Sequence, residues 1–181
     1  MGKNIREEIR LTGSGGQGVI LATIILADIA LQTGKYVAQS QSYGPEARGG
    51  LCKAEVIVSD KEIGYTKVMN PTLLLSLTQD SLNTYSKTID ENCILVADSS
   101  LTVNEGIKCK RLYQFPILAC AKERVGKAFT ANIVAVGLLC NILGFTDQAI
   151  IKETVLKYVP KGTEEINNKA LDEGFNLFEE R

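Results

Sequence analysis

The chain has 181 residues, 45% of them hydrophobic and 23% charged, with a formal net charge of -1. That is the size and balance of one globular domain, residues 1–181, and the lack of a basic block argues against nucleic acid as a partner. Histidine is absent, which removes the usual general base, the Ser-His and Cys-His nucleophile pairs and most metal sites.

Glu7 to Thr12 reads as a first strand, because Ile9 and Leu11 alternate with charge. Gly13-Ser14-Gly15-Gly16-Gln17-Gly18 follows, and Gln17 to about Thr33 reads as a helix stopped by Gly34. Its apolar residues cover almost the whole circumference, so it is expected to be buried on most sides. Tyr36 to Gln39 reads as the second strand and Ser40 to Gly50 as a polar, glycine-rich loop. Leu51 to Ser59 is a strand, and Asp60-Lys61-Glu62 is expected to turn it into a short hairpin partner at Ile63 to Thr66.

Leu73 to Leu77, Cys93 to Asp98 and Lys108 to Tyr113 read as further strands, with a helix from about Gln79 to Lys87. Helices are expected over Ala119 to Val125, Asn132 to Leu143, Asp147 to Tyr158 and Glu164 to Phe178, with Thr146 and Thr163 as N-caps of the last two. Ala128 to Thr146 carries no charge, but Asn132, Asn141, Gly137 and Gly144 interrupt it, so it reads as a buried helix and no membrane is expected. Strands alternating with helices predict a three-layer, Rossmann-like α/β domain, its sheet largely parallel with a local hairpin.

The five cysteines are widely spaced and form no C-x-x-C. This pattern predicts reduced, buried thiols and no iron–sulfur cluster on this chain. Met1 to Arg10 is charged and polar, unlike a secretory leader, so a cytoplasmic location is expected.

Gly13, Gly15 and Gly18 satisfy G-x-G-x-x-G between a strand and a helix. A dinucleotide site would also need an acid at the end of strand two, but that strand ends Val37-Ala38-Gln39-Ser40. No Lys-Ser/Thr follows the last glycine, which excludes a Walker A loop. A phosphate or pyrophosphate at a helix N-terminus remains, against the plainer reading of a tight turn chosen for packing. Ser42 and Arg48, in the loop that follows, offer a hydroxyl and a planar fork suited to phosphate. Asp98-Ser99-Ser100 reads as an Asx-type turn or cap, and Lys122-Glu123-Arg124 as a solvated helix face. Asn132 is either a cap or a ligand contact. No nucleophile–base pair or metal cluster can be assembled, so the chain reads as one that binds and positions.

Gly-Ser-Gly-Gly-Gln-Gly-Val at 13–19, Gln-Ser-Tyr-Gly-Pro-Glu-Ala-Arg-Gly-Gly at 41–50 and Ala-Asn-Ile-Val-Ala-Val-Gly at 131–137 together resemble the gamma subunit of 2-oxoacid:ferredoxin oxidoreductases. Ala-Glu-Val at 54–56 and Val-Ala-Asp-Ser-Ser at 96–100 fit the same pattern. The resemblance runs from about residue 9 to about residue 170 and is most like the 2-oxoglutarate type. It implies a complex that oxidatively decarboxylates a 2-oxoacid, forms an acyl-CoA and passes electrons to ferredoxin. Thiamine diphosphate and [4Fe-4S] clusters would lie in partner alpha and beta subunits, with a possible ferredoxin-like delta subunit. By the same resemblance Gly13, Ser14, Gly15, Gly16, Gln17 and Gly18 would cradle the phosphates of coenzyme A, with Ser42, Arg48 and Asn132 as further contacts. The first helix and the 131–143 helix are expected to expose more apolar surface than a small domain can bury, as an obligate hetero-oligomer subunit does. A free-standing nucleotide-binding protein and a purely structural assembly module are the rival readings.

Overall fold

The computed structural model describes residues 5–43, 50–145 and 147–180. In chain order the elements are β1 (Arg6–Ser14), α1 (Val19–Gln32), β2 (Tyr36–Tyr43), β3 (Leu51–Ser59), β4 (Leu73–Ser76), α2 (Gln79–Tyr85), β5 (Ile94–Asp98), β6 (Arg111–Phe115), α3 (Ile117–Ala119), α4 (Ala131–Leu143), α5 (Gln148–Tyr158) and α6 (Glu164–Glu179). The six strands form one sheet in the order β2-β3-β1-β4-β5-β6. β1, β4, β5 and β6 run parallel, and β3 is antiparallel to both β1 and β2. The chain leaves β1 for one edge of the sheet and later returns to β1's other side with β4. The C-terminal end of β1 is therefore the switch point, where open α/β sheets leave a crevice.

Strand alternation divides the core in two. Ile9, Leu11, Val56, Leu73, Leu75 and Val96 point to one face, where they pack with α1 and α4 in one large cluster. Leu74 and Leu95 point to the other face, where Leu82 of α2 and Cys93 complete a much smaller cluster. That thinner face also holds a buried ion pair: Arg10 Nε donates to Glu55 Oε1 at 2.6 Å. All three guanidinium nitrogens are engaged, since the other two donate to Thr88 Oγ1 (2.7 Å) and Val68 O (2.8 Å). Lys53 approaches the same Glu55 oxygen at 3.1 Å.

Local chemistry sets the element ends. Gly34 takes φ +76° and stops α1. Thr78 and Ser81 exchange hydroxyl and amide contacts in a capping box that opens α2. Asp147 caps α5 by accepting from Ile150 N at 3.0 Å; this is the position after Thr146, the expected cap, which lies outside the described residues. Thr163 is the N-cap residue of α6, but its hydroxyl donates to Pro160 O and accepts from the Asn167 side chain instead of from a helix backbone amide. α3 runs on into a π-helical turn, Cys120–Val125, closed by Gly126 at φ +92°.

Three expectations are corrected. The hairpin partner at Ile63 to Thr66 is not a strand; β2 occupies that place beside β3, because β2 continues through Gln39, Ser40, Gln41 and Ser42 to Tyr43 instead of ending at Gln39. β6 begins at Arg111, not Lys108, since its register is set by Ile94↔Arg111 on β5. The 131–143 helix does not expose apolar surface: Ala131 through Cys140 are all buried. α6 covers it through a close crossing in which Gly137 faces Leu171 O and Gly174 faces Val134 O. Among the described residues no helix is long and apolar enough to cross a membrane.

Candidate functional site

The turn between β1 and α1 uses its glycines for two different purposes. Gly13 leaves the space that the Gln17 side chain fills, and Gln17 Oε1 accepts from Ser14 N at 2.7 Å. Gly18 takes φ +72°, and a Cβ there would meet Asn132 Nδ2 at 2.5 Å. Gly16 takes φ +96° and faces open space. Gly13 and Gly18 of the motif thus serve packing, as its plainer reading required, while Gly16, outside the motif, bares the backbone.

The amides divide in the same way. Ser14 N is held by Gln17, Gly15 N donates to Gly50 O (3.0 Å) and Gln17 N to Ser14 O (3.2 Å). Ala22 is the first helix amide with a backbone acceptor, Gly18 O at 3.0 Å. The N–H groups of Gly16, Gly18, Val19, Ile20 and Leu21 therefore carry no protein partner among the described residues. No side chain caps this helix and no acid stands in its first turn. The positive end of the α1 dipole is left without a counter-charge.

Asn132 stands against this corner. It is only 7% exposed, and its amide makes no hydrogen bond among the described residues. It does not cap α4, whose N-cap is Thr130. Neither polar atom of its amide is among the buried, unpartnered ones, so the group keeps access to solvent beside Gly18 and is open to a guest. A cavity of about 340 Å³ opens beside the turn, lined by Ser14, Gly16, Gly18, Ile20, Ile24 and Cys52 among others. One end is polar backbone and the other is aliphatic. Burial pushes the Cys52 thiol up, so it remains protonated there.

The remaining expected residues fall elsewhere. Tyr43↔Cys52 and Cys52↔Gly13 pair in register, so the end of β2 and the start of β3 lie level with the glycine turn. Ser42, however, is paired with Lys53 and exposed, one row short of Gly13 and on the face away from α1. Arg48 lies outside the described residues. Asp98 forms the expected Asx turn, accepting from Ser100 N (3.0 Å) and Ser100 Oγ (2.6 Å), and it also accepts from Leu118 N at 2.8 Å, tying β5 to α3. Arg124 is exposed but not free, pairing with Glu173 and Glu180. The self-bracing by Gln17, the Gly50 anchor and the aliphatic wall of Ile20 and Ile24 went unread in the sequence. The all-round apolar character of α1 was the available signal for the wall, because one stripe of it had to line something other than the sheet.

Sheet order, switch point and uncapped helix define a Rossmann-like α/β domain with an anion-ready turn. A sequence model described as pyruvate ferredoxin/flavodoxin oxidoreductase matches residues 8–177; the chain belongs to that family, in its gamma-subunit form. It is 40% identical to the 2-oxoglutarate synthase subunit KorC of Methanothermobacter thermautotrophicus over 97% of each chain. It is 38% identical to the subunit of the same name in Methanocaldococcus jannaschii, over 97% of this chain and 96% of that one. The crystal structure of a keto/oxoacid ferredoxin oxidoreductase gamma subunit from Geobacter sulfurreducens superposes with a TM-score of 0.84 at 40% identity, covering 97% of this chain and 99% of that one. A 2-oxoglutarate:ferredoxin oxidoreductase chain from Magnetococcus marinus shares the fold at TM-score 0.85 and 18% identity; this chain spans 32% of it.

Proposed function

We propose that this chain holds the diphosphate of coenzyme A for a complex that oxidises a 2-oxoacid, with 2-oxoglutarate as the substrate. The observation that carries the reading is the set of open amides at Gly16, Gly18 and the first turn of α1, with the unpaired Asn132 amide beside them. Several convergent N–H dipoles and a carboxamide donor fit a diphosphate, and they offer nothing to a nucleophile. The substrate follows from the relatives named 2-oxoglutarate synthase subunits. The Magnetococcus protein that shares this fold carries 2-oxoglutarate, coenzyme A and succinyl-CoA.

In the family reaction the oxoacid is decarboxylated, its acyl group passes to the thiol of coenzyme A, and two electrons leave for ferredoxin. Thiamine diphosphate and [4Fe-4S] clusters supply that chemistry in the alpha, beta and ferredoxin-like delta partners, in the cytoplasm. This chain's residues fix one end of the acyl carrier. The α1 amides neutralise the diphosphate, Asn132 adds a donor, and the aliphatic wall of Ile20 and Ile24 gives the less polar arm a dry path. Fixing the carrier converts thiol attack into a step between held partners.

The test is Asn132→Asp in the assembled complex. The new carboxylate repels the diphosphate, yet in the first turn of α4 it suits that helix's own dipole, so folding is preserved. The KM for coenzyme A in ferredoxin reduction is expected to rise about tenfold or more, a change of about 1.4 kcal/mol. An assembled complex with an unaltered KM would remove the cradle.

A further inference from the structure

We infer that Cys93 and Cys109 join in a reversible disulfide when the protein meets a hydroperoxide, at a site that stands apart from the glycine turn and does not rest on the cradle. The pair lies at the opposite end of the sheet. Cys93 precedes β5 and Cys109 precedes β6, whereas the glycine turn follows the end of β1, which runs parallel to both. Lys110 N donates to Cys93 O at 2.8 Å. Cys109 Cα is two covalent bonds from that donor, and Cys93 Cα is two from that acceptor. The two residues are therefore neighbours across one inter-strand gap of about 4.8 Å. Their side chains share a face, since Cys109 packs against the cluster of Leu74, Leu82, Cys93 and Leu95. A charge on Cys109 is also felt at Cys93. A disulfide spans Cα atoms about 4.4–6.8 Å apart, so the bond forms here without moving either strand.

Exposure divides the work between the two thiols. Cys109 is half-buried and Cys93 is wholly buried, so peroxide reaches Cys109 first. Its thiolate attacks one peroxide oxygen, hydroxide leaves, and Cys109 becomes a sulfenic acid. The Cys93 thiolate then attacks that sulfur from inside the protein, and a second hydroxide leaves. The two thiol protons turn the hydroxides into water. Two thiols and one peroxide thus give one disulfide and two waters, the sulfurs losing the two electrons that the peroxide gains. Burial pushes the Cys93 thiol up to about 12 and raises that of Cys109 as well, which makes both steps slow and calls for peroxide in excess. What the bond fastens is the 99–110 connection. It contains no helix, although parallel strands are usually joined through one. Its residues Leu101, Val103, Ile107 and Cys109 nevertheless cover the thinner face of the sheet. The first half is pinned by Gln79, which bonds both backbone groups of Thr102, and by Gln114, which donates to Leu101 O. The second half returns to the sheet at the Lys110–Cys93 bond, and the disulfide staples it there.

The experiment treats the assembled complex with excess hydrogen peroxide, unfolds it in iodoacetamide and digests it with trypsin without reductant. Cleavage after Lys87, Lys108 and Lys110 puts the two cysteines in separate peptides, 88–108 and 109–110. Mass spectrometry is expected to find these two joined, lighter than their sum by two hydrogen atoms, and parted again by dithiothreitol. Cys109→Ser is expected to lose the joined species and to return Cys93 as an alkylated thiol, because peroxide does not reach it alone. Cys109 recovered as a sulfinic or sulfonic acid with Cys93 still reduced would mean that the second thiol cannot reach the first, and the inference falls. It falls equally if Cys109 is joined to any other cysteine, or if both thiols come through excess peroxide unchanged. The wild-type peptide map settles the pairing even where a variant does not assemble.

Discussion

At the scale of single residues, the sharpest energetic commitment is the buried pair Arg10–Glu55. Both side chains are almost wholly buried, and the guanidinium also holds the 60–72 segment through Val68 O and the turn after α2 through Thr88. Removing one charge strands the other in a low-dielectric interior, a loss of about 3–5 kcal/mol. Glu55→Leu should therefore lower the urea unfolding free energy by that order, since it orphans Arg10 and takes Lys53's partner too. Arg10→Met should cost less, because Lys53 still faces Glu55 at 3.1 Å. The double variant Arg10→Met/Glu55→Leu should recover part of the single Glu55→Leu loss; strict additivity would contradict the pairing. Glu55 stood out in the sequence only as the middle of the Ala-Glu-Val run at 54–56, and Arg10 not at all. Arg10 merely alternated with Ile9 and Leu11, and only the register Arg10↔Glu55 across β1 and β3 makes them partners. Asn132 is the converse case: its type and neighbourhood singled it out, but its contact with Gly18 depends on how α4 packs over the turn.

At the scale of elements, the contact between α4 and α6 is set by two missing methyl groups. A Cβ on Gly137 would drive into Leu171 O and one on Gly174 into Val134 O. These are backbone atoms of helices, which cannot swing aside as a side chain end can. Gly137→Ala and Gly174→Ala should each cost about 1–3 kcal/mol despite alanine's better helix propensity. Gly64→Ala, in open space without a positive φ, should stay within about 0.5 kcal/mol in the same thermal melts. A stabilised Gly174→Ala would mean that the helices cross less tightly. The amphipathic α6 was legible from its period, and α1 and β3 from apolar runs bounded by glycine and turn residues. The hairpin was not, because Gln39 to Ser42 is polar and uniform, and its strand character comes from pairing with β3 along an edge that need bury little. The loss of apparent surface on α4 has the same origin. An all-apolar helix signals burial, but the sequence does not say whether α6 of the same chain or a partner provides the cover.

At the scale of the whole molecule, the same burial decides how the protein behaves in alkali. All five cysteines are free, and four of them, Cys52, Cys93, Cys120 and Cys140, are buried among apolar neighbours. Desolvation pushes the Cys93 and Cys140 thiols up to about 12 and leads the rise of Cys120 to about 11, where Glu173 adds to it. Below pH 9, the ordinary thiol value given by the same residues, folded and unfolded chains both carry neutral thiols, and the contribution to stability is fully present. Above it the unfolded chain loses protons that the folded chain keeps, so stability falls until the folded thiols ionise at about 11 to 12. Each fully buried thiol tilts the curve by up to about 1.4 kcal/mol per pH unit in that window. Unfolding free energy measured at intervals from pH 8 to pH 11 should hold level and then drop. Cys140→Ala keeps the α4 helix and removes one ionisable group, so its curve should descend less steeply than the wild type above pH 9. Parallel curves for the two proteins would mean that Cys140 is reached by water in the folded chain, and that the α1–α4–α6 side of the sheet is less dry than its packing requires.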